Sequence, residues 1–125
     1  VPNRNMIMIS VAASLVIKND IEYLWYAAHS GDHEIYPDCR PEFIDKMAAV
    51  LEICDYHKIK FEAPFKNLSK NEIVATGLSM GLDYSKTWTC YEGKEKPCGK
   101  CSACLERALS FEANNTEDPL NVVSN

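Results

Sequence analysis

Apolar residues crowd the start of the chain and then settle into a sparser, more regular pattern. Between Asn5 and Lys18 nearly every position is apolar or small, including Met6, Ile7, Met8, Ile9, Val11, Ala12, Ala13, Leu15 and Val16. A run of this length without a polar face predicts a largely buried helix. Asn19 and Asp20 punctuate it. Ile21 to Ala28 reads I-E-Y-L-W-Y-A-A, β-branched and aromatic with little alternation. That predicts a strand covered on both faces, as in a parallel sheet.

His29 to Arg40 has no clear period, and structureless loops near this length are uncommon and often functional. Pro41 suits the first position of a helix, along which Phe43, Met47, Val50, Leu51 and Cys54 recur at three- and four-residue steps. Ile59, Phe61 and Ala63 alternate with Lys60 and Glu62, predicting a short strand. Ser69 and Glu72 form a capping box for a helix carrying Ile73, Val74 and Leu78 and ending near Gly81. A final helix is expected from about Cys101 to Asn114, with Leu105, Ala108, Leu109 and Glu112 at helical spacing. Thr116 to Asn125 is polar and expected to fray.

Helix, strand, helix, strand, helix predicts an α/β fold with helices flanking a parallel sheet. Two strands alone do not make a stable sheet. The pattern therefore asks for further strands from elsewhere, and disfavours a lone monomer. We divide the 125 residues into an α/β part (1–86), a cysteine segment with its terminal helix (87–114) and a tail expected to be disordered (115–125).

Composition narrows the class. Hydrophobic residues make up 46% and charged residues 25%, which fits a folded globular chain. A net charge of -5 argues against a nonspecific nucleic-acid binder, which needs a basic surface. No apolar run approaches the roughly 18 residues of a membrane span. The first residues lack a secretory pattern and an initiator methionine, so a processed chain or part of a longer one is expected. There are six cysteines, two isolated (Cys39, Cys54) and four close together. This favours a metal site in a reducing, cytoplasmic setting over a disulfide framework.

Cys90, Cys98, Cys101 and Cys104 fall within fifteen residues, the last three as C-G-K-C-S-A-C. Such thiolates suit a structural zinc, held tetrahedrally at about 2.3 Å. Gly99 permits the tight turn, and Lys94, Lys96 and Lys100 can offset the site's negative charge. An iron–sulfur cluster is the rival metal, but its bacterial cysteine run carries a further Cys-Pro, and no cysteine follows Cys104.

A second constellation, Asp32-His33-Glu34-Ile35-Tyr36-Pro37-Asp38-Cys39-Arg40-Pro41-Glu42, follows directly on the first predicted strand. Ligands in open α/β sheets bind beyond the carboxyl ends of strands. Carboxylates there can take a polar heterocycle or magnesium, and Arg40 a carboxylate or phosphate. The plainer reading is a solvated loop in which Asp38 merely caps the following helix. Arg4, at the start of the first helix, is a candidate anion contact; Asn3 or Asn5 is as easily a simple cap. The histidines are not at metal-ligand spacing with the cysteines.

Taken in order, V-P-x-R-N (Val1 to Asn5), D-x-x-x-Y-P-D-C-R-P-E-F (Asp32 to Phe43), E-A-P-x-x-x-L-S-K-x-E-I (Glu62 to Ile73), T-W-x-C-Y (Thr87 to Tyr91) and C-G-x-C-x-x-C (Cys98 to Cys104) cover the chain nearly to Phe111. This series resembles the 7-cyano-7-deazaguanine synthases, ATP-dependent nitrile-forming ligases of the queuosine pathway. The resemblance implies an adenine-nucleotide α-hydrolase-like, Rossmann-like sheet. It implies a structural zinc on Cys90, Cys98, Cys101 and Cys104. It also implies conversion of 7-carboxy-7-deazaguanine and ammonia to the nitrile, with ATP and magnesium. Asp32, Tyr36, Asp38 and Arg40 would line the deazaguanine pocket, and Arg4 would sit near the nucleotide.

The family's phosphate loop, S-G-G-x-D-S, does not occur in these residues. Catalysis is therefore expected to need an N-terminal half, on a longer chain or a second subunit, and a homo-oligomer is expected. Ile35 stands where the family commonly has a small residue. The competing readings are a non-catalytic relative that keeps zinc and a deazapurine, and an iron–sulfur tRNA-modifying relative.

Overall fold

A computed structural model describes residues 1–93 and 95–122. The chain divides into two compact units, Val1–Leu68 and Ser69–Asn125. Residues 69–86, which we had grouped with the sheet, therefore belong with the cysteine segment.

The first unit holds helix α1 (Arg4–Lys18), strand β1 (Tyr23–Trp25), two 3-10 turns (Ser30–Asp32 and Pro37–Cys39), helix α2 (Pro41–Ile53) and strand β2 (Lys60–Glu62). β1 and β2 pair in parallel, Leu24 opposite Phe61, with α2 on the crossover between them. The core gathers Ile9, Ala13 and Val16 of α1, Ile44, Met47 and Leu51 of α2, and Ile59, Phe61 and Ala63 around β2. The alternation along β2 is as expected: Lys60 and Glu62 face water while Phe61 is buried.

Three expectations need correction here. α1 is not buried all round: Met8, Val11 and Leu15 are exposed, because the described sheet supplies only two strands to cover it. β1 spans three residues of the eight expected, and Tyr23 and Trp25 on it are exposed. On α2 the buried stripe runs through Ile44, Met47 and Leu51, while Val50 and Cys54 face out. The period and two of its positions, Met47 and Leu51, were right, while the stripe's edge lies at Ile44 and not at Val50 and Cys54.

The second unit holds helix α3 (Lys70–Ser79), a 3-10 turn (Tyr84–Lys86) and helix α4 (Ser102–Ala113). The capping box is complete, with Ser69 Oγ accepting from the Glu72 N–H and Glu72 Oε2 accepting from the Ser69 N–H at 2.7 Å. Gly81 adopts a positive φ of 72° just beyond α3, a conformation glycine takes without strain. Gly77 lets the Tyr84 ring pass across α3; a Cβ there would lie 2.1 Å from the Tyr84 hydroxyl oxygen. That hydroxyl donates to the Val74 carbonyl, and the ring meets Phe111 of α4 edge-on.

α4 buries Cys104, Arg107, Ala108 and Phe111, not the expected Leu105 and Leu109, which are partly exposed. The segment after α4 does not fray throughout. Asp118 and Val122 are buried, Asp118 by pairing with Arg107 and Val122 against the cysteine cluster. The rest of the expected tail, 123–125, lies outside the described residues, as does Lys94.

Candidate functional site

The four clustered cysteines converge in the second unit. Their sulfurs all lie within 4.8 Å of one another. Cys98 Sγ is 4.0 Å from Cys104 Sγ, and Cys101 Sγ is 3.9 Å from Cys90 Sγ. A tetrahedron with arms of about 2.3 Å has edges of about 3.8 Å, so the spacing fits a four-thiolate zinc. Local chain geometry makes this possible. Gly99 turns with φ 70° between Cys98 and Cys101. Cys101, the expected helix start, is the N-cap of α4, which begins one residue later at Ser102, and Cys104 sits in the first turn.

Backbone N–H groups point at the sulfurs. Cys90 Sγ accepts from the N–H of Gly93 at 2.9 Å and of Cys98 at 3.2 Å; Cys98 Sγ accepts from Cys101 at 3.3 Å. These bonds, the Cys98 N–H foremost, lower the Cys90 thiol to about 6. Cys101 is lowered likewise by backbone N–H groups, those of Tyr91 and Cys104. Cys104 is fully buried, and without a metal burial pushes it up to about 12. A divalent cation is what allows all four to be thiolates together. A four-thiolate centre leaves no open coordination position.

One turn along α4 from Cys104 sits a residue the sequence reading passed over. Arg107 Nε and Nη2 donate to both carboxylate oxygens of Asp118 at 2.7 and 2.8 Å. Arg107 also donates to Thr87 Oγ1 at 2.8 Å and to the Tyr84 carbonyl at 3.1 Å. It thereby fixes the segment that enters the cysteine loop, where Trp88 Nε1 donates to the Cys90 carbonyl. The available signal was a lone arginine on the face of α4 shared by Cys104, Ala108 and Phe111.

In the first unit, the loop after β1 is folded on itself. Asp38 does not cap α2; that helix starts at Pro41 behind Arg40 without a side-chain cap, so the capping reading fails. Arg40 Nε donates to the His33 carbonyl at 2.8 Å, clasping the two 3-10 turns together. His29 Nδ1 accepts from the Gly31 N–H, so its Nε2 carries the proton and faces Asp32 Oδ2 at 3.2 Å. Tyr36 is exposed.

The centre of this loop is Cys39, whose thiol the sequence reading had set aside. The Tyr26 hydroxyl donates to the Asp38 carbonyl at 3.1 Å and lies 3.4 Å from Cys39 Sγ. Asn5 Nδ2 approaches the same sulfur from α1 at 3.9 Å. Burial raises the Cys39 thiol, the charges of Asp32 and Asp38 raise it further, and Arg4 opposes them. Burial likewise raises Tyr26, helped by Cys39, Asp38 and Asp32. Arg4, Asp32 and Asp38, far apart in sequence, thus act electrostatically on one buried thiol, while Arg40 closes the loop beside them.

A parallel α/β unit with a polar loop beyond β1, and a four-cysteine cluster able to hold a metal in the second unit, define an α/β protein with a candidate metal centre. The chain matches the family described as queuosine biosynthesis protein QueC over residues 1–115, and it belongs to that family. It is 52% identical to the 7-cyano-7-deazaguanine synthase of Marinobacter nauticus over 96% of this chain and 54% of that protein. It is 54% identical to the synthase of Pseudoalteromonas atlantica over 96% of this chain and 55% of that protein. With 7-cyano-7-deazaguanine synthase 1 of Colwellia psychrerythraea the identity is 52%, with the same coverage. The chain spans about half the length of these curated relatives. Among the described residues, no helix is long and apolar enough to cross a membrane.

Proposed function

We propose that this chain is the C-terminal part of an ATP-dependent synthase that converts 7-carboxy-7-deazaguanine and ammonia to 7-cyano-7-deazaguanine for queuosine or related deazapurine biosynthesis. The observation that carries the reading is the identity of 52–54% with proteins of that name along 96% of the chain. The gathering of Arg4, Asp32 and Asp38 around Cys39 supports it. A substrate carboxylate oxygen attacks the α-phosphorus of ATP, forming an acyl adenylate and releasing pyrophosphate. Ammonia displaces AMP to give the amide. The amide oxygen is adenylated in turn, and loss of AMP and a proton leaves the nitrile.

In this scheme Asp38 accepts hydrogens from the guanine-like edge of the substrate. Asp32 and Tyr36 border the same pocket. Arg40 holds the loop shut, and Arg4 lies toward the nucleotide and its magnesium. Zinc on Cys90, Cys98, Cys101 and Cys104 is structural. The phosphate-binding loop is supplied by an N-terminal half, in the same native chain or on a partner, in a cytoplasmic and homo-oligomeric enzyme.

The test is nitrile formation from 7-carboxy-7-deazaguanine, ammonia and ATP-magnesium, followed by mass spectrometry. The 125-residue chain alone is expected to give none. Addition of the N-terminal half of a relative, in trans or fused, is expected to restore it. Failure of every such complement overturns the reading.

A further inference from the structure

The loop that follows β1 contains a polar atom with no internal employment. Among the described residues, the Nε2 of His33 is the single buried side-chain nitrogen or oxygen without a hydrogen-bond partner. Leaving such a group unmet is costly, because it has given up water and gained nothing in return. The neighbouring groups do not relieve it. Asp32 turns its carboxylate to His29. Arg40 bonds to the backbone of His33 and not to its ring. The strain is not a by-product of a loose loop either. The His33 N–H donates to the Ser30 carbonyl, its own carbonyl accepts from Arg40, and the turn behind it is tied to Leu68 through both the N–H and the hydroxyl of Ser30. The backbone of His33 is thus held on both sides while its Nε2, buried against the loop, is left with nothing to bond.

We infer that His33 is a substrate-recognition residue, whose Nε2 hydrogen-bonds a planar, polar heterocycle seated against the loop of Asp32, Asp38 and Arg40. The inference rests on the deazapurine reading of that loop and adds a contact to it. An imidazole suits this task, because its Nε2 can donate or accept according to tautomer. A backbone fixed in advance means little ordering is left to do on binding, which is how a rigid loop adds affinity.

Two substitutions separate recognition from packing. His33→Phe keeps a flat ring and removes the orphaned nitrogen; His33→Gln keeps a polar end at similar reach. Binding of 7-carboxy-7-deazaguanine to the whole chain is measured by calorimetry, together with thermal unfolding. His33→Phe is expected to bind about tenfold more weakly, the value of roughly 1.4 kcal/mol, with a melting temperature equal to or above that of the parent. His33→Gln is expected to recover part of the affinity. The His33 Nε2 resonance in ¹⁵N spectra is expected to shift when the heterocycle is added to the parent chain. Equal affinity in parent and His33→Phe, or an unmoved resonance while the heterocycle binds, overturns the role of His33 alone. No binding by the parent overturns the deazapurine reading of the loop, and this inference with it.

Discussion

Arg107 and Asp118 form a two-pronged ion pair at 2.7 and 2.8 Å, with side chains only 5% and 2% exposed. The pair joins α4 to the segment that follows it, and Arg107 extends the tie to Thr87 and Tyr84 ahead of the first cysteine. Replacing Asp118 with alanine strands a buried guanidinium. The expected loss is about 3–5 kcal/mol, the range for a broken buried pair. Replacing Arg107 and Asp118 together with methionine and leucine is expected to cost less than Asp118→Ala alone. Denaturant melts of the three proteins give the comparison.

Metal removal is expected to unfold the cysteine loop. Cys90 to Cys104 contributes few apolar side chains, so its order depends on the ion. Chelation, or Cys104→Ser, should lower bound zinc from one per chain and abolish the near-ultraviolet signal of Trp88. Retention of that signal in a zinc-free protein would mean the loop holds by packing alone.

Acid acts on the same centre through competition between protons and metal. The cation binds thiolates, so affinity falls as pH falls. In the metal-free chain the sign is set residue by residue. Cys90 is depressed in the fold to about 6 from an ordinary 9.0. Its contribution is fully present above pH 9, declines between 9 and 6, and is gone below 6. Cys104 runs the other way, its share being lost as pH rises from 9 toward about 12. A zinc titration at a series of pH values should show proton release at neutrality and weaker binding toward pH 6.

Gly77→Ala sets two effects against each other. Alanine gains about 1 kcal/mol of helix propensity over glycine. Its Cβ would stand 2.1 Å from the Tyr84 hydroxyl oxygen and 2.9 Å from Cζ, so the ring must leave Phe111. Overpacking costs typically about 1–3 kcal/mol, and we expect it to win. Gly77→Ala with Tyr84→Phe should recover part of the loss; a thermal melt of both variants decides.

Local chemistry was the legible part of the sequence. The capping box at Ser69 and Glu72, the turn at Gly99 and the four-sulfur cluster each depend on residues a few positions apart, where spacing fixes geometry. What depends on distant partners was not readable. The apolar run of α1 signals a helix but not which side is covered, since that is decided by how many strands lie beside it. The same limit hid Asp118, eleven residues from Arg107, and the meeting of Asn5, Tyr26 and Cys39 from three separate elements. The motif pointed to the loop of Asp32 to Arg40 as the candidate pocket, but the loop's clasp through Arg40 and His33 needed the fold.

The outward ridge of Met8, Val11 and Leu15 bears on the life of this chain in a cell. Aliphatic side chains along a helix, with Trp25 also open on a neighbouring strand, are the surface that chaperones hold and quality-control proteases sample. A segment that covers the ridge is then expected to raise the yield of intact protein, which co-expression with the N-terminal half of a relative would measure.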